Sequence, residues 1–298
     1  MFLGLSGFPL TPMDEQGLDE RAFIQLVDHL AEAGVDSIGA LGSTGSYAYL
    51  NAEERARVAH LAVESAAGRV PVIIGIGALR TRDVLLHADN AQQAGASGVL
   101  LAPVSYQTLT DDEVFDLYET VGRSLSVPLC VYDNPGTTHF AFSDELHGRI
   151  AQMPSVRSIK IPPVAGDLDA TRARVERLRA LIPAEVTIGI SGDPAAATGL
   201  NAGCDAWYSV LGGLFPKTAL AITRAAQAGD TNAAQSASQA LAPLWALYRD
   251  FGGSLRVIAT MAEITGRVSH PCLPLPLKTL QGSARERVAK VIEQLDLA

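Results

Sequence analysis

A lysine, a tyrosine and two adjacent hydroxyls stand at the ends of short apolar runs in this 298-residue chain, and they are the groups best placed to do chemistry. Lys160 lies in VRSIKIPP, Tyr132 closes VPLCVY, and Ser43 and Thr44 lie in the turn from Gly42 to Ser46. Lysine is scarce. Of 23 basic residues only Lys160, Lys217, Lys278 and Lys290 are lysines, and Lys160 alone sits on an apolar run. Burial withdraws an ammonium from water and favours the free amine, the form that attacks a carbonyl carbon to give an imine. A lysine there can equally pair with a carboxylate or extend to solvent, and position alone leaves the two readings level. Tyr132 reads as a proton-handling phenol or as a core residue bonded to backbone. The Gly42–Ser46 turn reads as a tight connection or as a nest of amides and hydroxyls for a carboxylate.

The elements that must position these residues repeat along the chain. Apolar, β-branched runs occur at Phe2–Phe8, Asp36–Leu41, Val70–Gly77, Gly98–Pro103, Val127–Tyr132, Val156–Ile161, Val186–Ser191 and Asp205–Leu211. Most begin about 27 to 35 residues apart, the length of a strand, a loop and a helix. They are continuously apolar, as parallel strands covered on both faces are. Asn51-Ala-Glu-Glu54 and Thr110-Asp-Asp-Glu113 are capping boxes, and Asp193 before Pro194 reads as a further helix cap. Three helices end in Ala-Gly immediately before a strand, at Ala33, Ala94 and Ala202, where the glycine can take a left-handed conformation.

Eight such units predict a (β/α)8 TIM barrel, with a doubly wound open sheet as the rival. Beyond Pro216 only helical patterns remain, over residues 217–229, 230–251, 254–266 and 278–295. The division expected is a barrel over 1–225 carrying the active site and a C-terminal helical region over 226–298. In a barrel the site lies at the carboxyl ends of the strands, and Thr44, Tyr132 and Lys160 all fall on that rim.

Composition narrows the function. A formal net charge of −9 argues against a nucleic-acid binder. The longest apolar run, Val70–Leu79, contains Pro71, Gly75 and Gly77 and is far short of the ~20 residues of a membrane helix. With no basic leader at the N-terminus, a soluble, cytoplasmic protein is expected. The three cysteines, without CxxC spacing, fit reduced thiols, and the six scattered histidines give no metal-ligand spacing.

Taken together, these residues resemble the dihydrodipicolinate synthase / N-acetylneuraminate lyase family of class I, Schiff-base aldolases. The likeness runs through GFPLTP at Gly7–Pro12, GSTGS for the family's G-T-T-G-E, YDNP for Y-N-x-P, the IK pair at Ile159-Lys160, and SGD at Ser191–Asp193. It implies a lyase without metal or cofactor, in which Lys160 attacks C2 of pyruvate or another 2-oxo acid. It further implies that Ser43 and Thr44 hold the carboxylate and that Tyr132, linked to Thr44, relays protons. Gly192, Thr137 and Tyr208 would bind substrate, with the Tyr208 phenol narrowing the pocket. The resemblance also implies a homo-oligomer, a dimer or a homotetramer.

Departures from the family pattern bear on the second substrate, an unidentified aldehyde or 2-oxo acid. Gly136-Thr137-Thr138 carries no cation where the synthases have an arginine, which implies a chain that is not a true dihydrodipicolinate synthase. Val104-Ser105 replaces the paired tyrosines, with Tyr106 one place later, and Ser46 and Ile161-Pro162-Pro163 replace other familiar residues. A dehydratase or deaminase of a hydroxylated, sugar-derived 2-oxo acid acting through the same imine is the alternative. A phosphate-binding isomerase using Gly212-Gly213 and a non-catalytic sensor of pyruvate-type ligands also stay open. His139 reads as a solvated loop residue or as a contact for a polar substrate tail.

Overall fold

The computed structural model describes residues 1–297. Its strands are β1 (Gly4–Gly7), a short hairpin β2 (Met13–Asp14) and β3 (Gly17–Leu18), β4 (Ser37–Ala40), β5 (Val72–Gly75), β6 (Gly98–Leu101), β7 (Leu129–Tyr132), β8 (Val156–Ile161), β9 (Thr187–Ser191) and β10 (Ala206–Ser209). All but the hairpin pair in parallel in the closed order β1-β10-β9-β8-β7-β6-β5-β4. The chain is a (β/α)8 TIM barrel with C-terminal helices, and the open-sheet rival is excluded by the pairing of β1 with both β10 and β4.

The helices between strands are α1 (Glu20–Ala33), α2 (Ala52–Ala66), α3 (Thr81–Gln93), α4 (Asp111–Gly122), the single turn α5 (Pro135–Thr138), α6 (Asp144–Ala151), α7 (Leu168–Arg179), α8 (Ala196–Asn201) and α9 (Pro216–Gln227). Local sequence sets their ends. Asn51 and Thr110 form reciprocal capping boxes with Glu54 and Glu113. Gly34, Gly95 and Gly203 take positive φ where the three Ala-Gly pairs turn a helix into a strand.

After α9 come α10 (Thr231–Ala240), α11 (Ala242–Asp250), α12 (Ser254–Ile264) and α13 (Gly282–Leu295). The single helix expected over 230–251 is two. Pro243 has no N–H to donate to the preceding turn, so the helix stops at Ala240 and restarts with the proline in its first turn. The helix expected from Lys278 begins at Gly282, and the hairpin β2-β3 has no counterpart in the apolar runs.

Two layers of side chains result. Outward-facing residues of the strands pack under the helices in one large cluster that includes Leu5, Ile38, Ile74 and Trp207. Inward-facing residues form a separate cluster inside the barrel, including Phe8, Ile73, Leu100, Cys130, Tyr132 and Tyr208. In β1, β7, β8 and β10 this alternation sends the last inward residue toward the carboxyl rim.

Candidate active site

The register of the sheet decides which side chains meet. Tyr132 of β7 pairs directly with Lys160 of β8, so both point into the barrel side by side. The turn beyond continues the ladder, with the Asp133 amide donating to the Lys160 carbonyl at 3.0 Å. Lys160 in turn faces Gly189 of β9, whose missing side chain leaves the space that the Tyr208 ring fills; a Cβ at Gly189 would lie 2.2 Å from that ring.

Lys160 is 5% exposed. Its Nζ stands 4.0 Å from the Tyr132 ring centroid, 4.3 Å from that of Phe8 and 5.6 Å from that of Tyr208. Among the described residues no carboxylate oxygen lies within 4.0 Å of it, in contrast with the arginine ion pairs on the outside of the barrel. The reading in which a carboxylate neutralises this lysine is thereby set aside.

The Tyr132 hydroxyl has two partners, Ser43 Oγ at 3.1 Å and the Asn134 amide, which donates to it at 2.8 Å. The expected link from Tyr132 to Thr44 is thus corrected: the adjacent serine makes it. Leu41, just before this turn, has φ 57°, a left-handed conformation where the chain leaves β4. Its carbonyl lies 1.9 Å from where a Cβ on Gly75 would be, so β5 tolerates only glycine beside the turn. Thr44 is buried and makes no side-chain hydrogen bond among the described residues.

The other expected residues are placed differently from one another. Tyr208 forms part of the floor: its hydroxyl bonds Ser158 Oγ at 2.7 Å and accepts from Cys130 Sγ at 3.4 Å, and only its ring borders Lys160. Burial pushes this phenol well above the usual tyrosine range. With its polar end tied to Ser158 and Cys130, it is the ring of Tyr208 that stands toward the amine. Gly192 has φ 79° and lies beneath Pro163, where a Cβ would be 2.4 Å from the proline ring. Thr137 is exposed on α5 with its hydroxyl turned to the Asn134 carbonyl at 3.4 Å, and His139 is exposed beside it. Asp193 caps no helix. It reaches across to the Trp207 indole, the Ser209 hydroxyl and the amides of Val210 and Leu211.

Sequence reasoning missed three participants. Phe8 walls the amine, and its signal was an aromatic at the end of the first strand. Asn134 donates to Tyr132 and sits two residues from it in the YDNP turn. Asp133 is buried against His147 of α6, with Nε2 and Oδ2 3.5 Å apart and no hydrogen-bond alignment between them. A cavity of about 310 Å³ lies elsewhere, between the hairpin and the loop His270–Gln281, and shares no residue with this rim. Among the described residues no group of three or more His, Cys, Asp or Glu could hold a metal ion, the three cysteines are free, and no helix is long and apolar enough to cross a membrane.

Comparison with known proteins gives the family. The dihydrodipicolinate synthetase family matches residues 1–295. The chain belongs to that family. It is a class I, Schiff-base lyase of the family's type. It is 32% identical to a 4-hydroxy-tetrahydrodipicolinate synthase of Anaplasma marginale (strain Florida) over 286 residues, 95% of this chain and 91% of the relative. Among solved structures, dihydrodipicolinate synthase from Agrobacterium tumefaciens str. C58 superposes with a TM-score of 0.95 at 44% identity, covering 99% of this chain and 98% of that one. The chloride-inhibited dihydrodipicolinate synthase from Acinetobacter baumannii, complexed with pyruvate, superposes with a TM-score of 0.89 at 26% identity over the full length of both. Setting the chain apart from the true synthases, as its missing arginine suggested, finds no support in these matches.

Proposed function

We propose that Lys160 forms an imine with C2 of pyruvate or a closely related 2-oxo acid, and that the enamine derived from it makes or cleaves a carbon-carbon bond. The observation that carries this reading is the Lys160 amine itself, buried at the carboxyl rim with no carboxylate partner and beside the ring of a tyrosine whose hydroxyl is held by Ser43. The Nζ lone pair adds to C2, water leaves, and the resulting cationic nitrogen draws electrons from C3 as a proton or a C4 fragment departs. Tyr132, through Ser43, passes the protons that water loss requires. Thr44, with the amides of its turn, holds the oxo-acid carboxylate, and the Tyr208 ring and Gly192 shape the base of the site. The pyruvate in the Acinetobacter baumannii structure supports a small 2-oxo acid as ligand.

The barrel over 1–225 bears this chemistry in our reading, and residues 226–298 frame it. In our reading the second substrate meets a turn without a cation, in which Thr137 and Thr138 both direct their hydroxyls to the Asn134 carbonyl. The dehydratase reading uses the same imine and differs only in which group leaves. Borohydride reduction with pyruvate, followed by mass spectrometry of the peptide containing residue 160, is expected to give a stable adduct at Lys160. No adduct with any 2-oxo acid overturns the proposal. A panel of aldehydes that includes aspartate semialdehyde, read by pyruvate consumption, then separates synthase from other acceptors.

A further inference from the structure

We infer that Phe8 sets the substrate range of this site by excluding 2-oxo acids branched at C3, an inference that rests on the imine reading of Lys160. Backbone bonds and close neighbours hold Phe8 in place. Its backbone amide donates to the Ser209 carbonyl at 2.9 Å, and its own carbonyl lies where a Cβ on Gly213 would come within 2.0 Å. The ring occupies space that side chains on Gly39 and Gly42 would fill, since Cβ atoms there would lie 2.4 and 2.6 Å from it. Below, it meets the Tyr208 ring edge to face, with centroids 5.9 Å apart at 87°, and Tyr208 is anchored through its hydroxyl to Ser158 at 2.7 Å. Phe8 is 3% exposed, with Gly39, Gly42 and Tyr208 packed against its ring.

This fixed wall stands 4.3 Å from Lys160 Nζ, with the Tyr132 ring at 4.0 Å. An imine carbon bonds Nζ at about 1.3 Å, so substituents on C3 fall about 3 to 4 Å from the nitrogen, the same radius as the rings. The imine is planar, and the C3–C4 bond that is made or broken stands across that plane on its open face. A second carbon on C3 is then turned the other way, toward the Phe8 ring, and packed interiors resist such intrusion. The site therefore takes pyruvate and straight-chain 2-oxo acids bearing CH3 or CH2 at C3, including the linear adducts formed when pyruvate C3 adds to an aldehyde.

The test is reductive trapping, with initial rates of adduct formation measured for pyruvate, 2-oxobutanoate and 3-methyl-2-oxobutanoate. In the wild type the branched acid is expected to be trapped at least about 30-fold more slowly than pyruvate, with 2-oxobutanoate close to pyruvate. Phe8→Ala is expected to raise the branched-to-pyruvate ratio at least about 10-fold. Phe8→Leu, which keeps an apolar side chain and protects against loss of folding, is expected to raise it by a smaller factor. A wild type that traps branched and straight acids alike, or Phe8 variants that both keep the wild-type ratio, overturns the role of Phe8 while the imine stands. Absence of any adduct in the wild type removes the imine, and the inference with it.

Discussion

The amine of Lys160 has the rings of Tyr132, Phe8 and Tyr208 for company and no anion. Lys160→Ala is expected to abolish both trapping and turnover. Of the two adjacent hydroxyls in the turn after β4, Ser43 touches Tyr132 and Thr44 does not. Ser43→Ala and Tyr132→Phe should each lower kcat about 100-fold, whereas Thr44→Ala should act mainly on KM. A Thr44→Ala enzyme with the larger loss in kcat would reverse that assignment. Behind Tyr132, burial pushes the Asp133 carboxyl from 3.8 up to about 7 and the His147 imidazole from 6.5 down to about 4. Between about pH 4 and 6.5 the unfolded chain carries one proton on the histidine and the folded chain carries one on the aspartate, so the pair as a whole adds little pH dependence. Each single variant exposes one half. In Asp133→Asn the folded imidazole binds fewer protons than the unfolded one, so its contribution is lost as pH falls from 6.5 to 4. In His147→Phe the folded carboxyl binds the extra proton, and stability declines as pH rises from about 4 to 7, by on the order of a few kcal/mol. Urea denaturation at pH 4.5 and 7 checks both slopes, and parallel slopes in the two variants would refute the pairing.

Between elements, the most demanding contact is the one Asp193 makes from the end of β9 to β10. Its carboxylate accepts from Trp207 Nε1 at 3.1 Å, Ser209 Oγ at 3.0 Å, and the Val210 and Leu211 amides at 3.2 and 2.7 Å. Asp193→Ala strands four donors, three of them buried, and each buried one costs about 1 to 3 kcal/mol when unpaired. A loss of at least about 3 kcal/mol in chemical denaturation is expected, and a change below about 1 kcal/mol would show that the clamp is dispensable. That contact also marks where the sequence stops being legible. The strands could be read because burial on both faces imposes uniform apolar runs, and the caps at Asn51 and Thr110 because a capping box is a local bond between residues three apart. Lys160 and Tyr132 could be placed on the rim because each ends or follows such a run. What Asp193 reaches, which of Ser43 and Thr44 turns toward Tyr132, and how Gly39, Gly42 and Gly189 make room for Phe8 and Tyr208 depend on contacts between distant strands. No local pattern encodes them. Pro243 was the exception, a break visible in the sequence that the surrounding helical period concealed.

At the scale of the molecule, the barrel's carboxyl rim is uneven in what it shows to solvent. On the consecutive loops after β4, β5 and β6 stand Tyr49 at 49%, Leu79 at 67% and Tyr106 at 91% exposure. Isolated exposed apolar residues are ordinary, but three large ones on adjacent loops of one rim are what an interface between copies leaves uncovered in a single chain. A stable contact of this kind removes about 800 Å² of surface per partner. The protein is therefore expected to behave as a dimer or a homotetramer, and light scattering should return two or four times the 31.3 kDa chain mass at micromolar concentration. Combining Leu79→Glu with Tyr106→Glu introduces two charges that an apolar contact would have to desolvate, and should shift the mass toward the monomer. Because the Lys160 pocket is built from β1, β7, β8 and β10 of one chain, this variant should still form the reduced pyruvate adduct. Loss of the adduct together with the assembly would show that the neighbouring copy completes the site, and a wild type that runs as a monomer would remove the interface altogether.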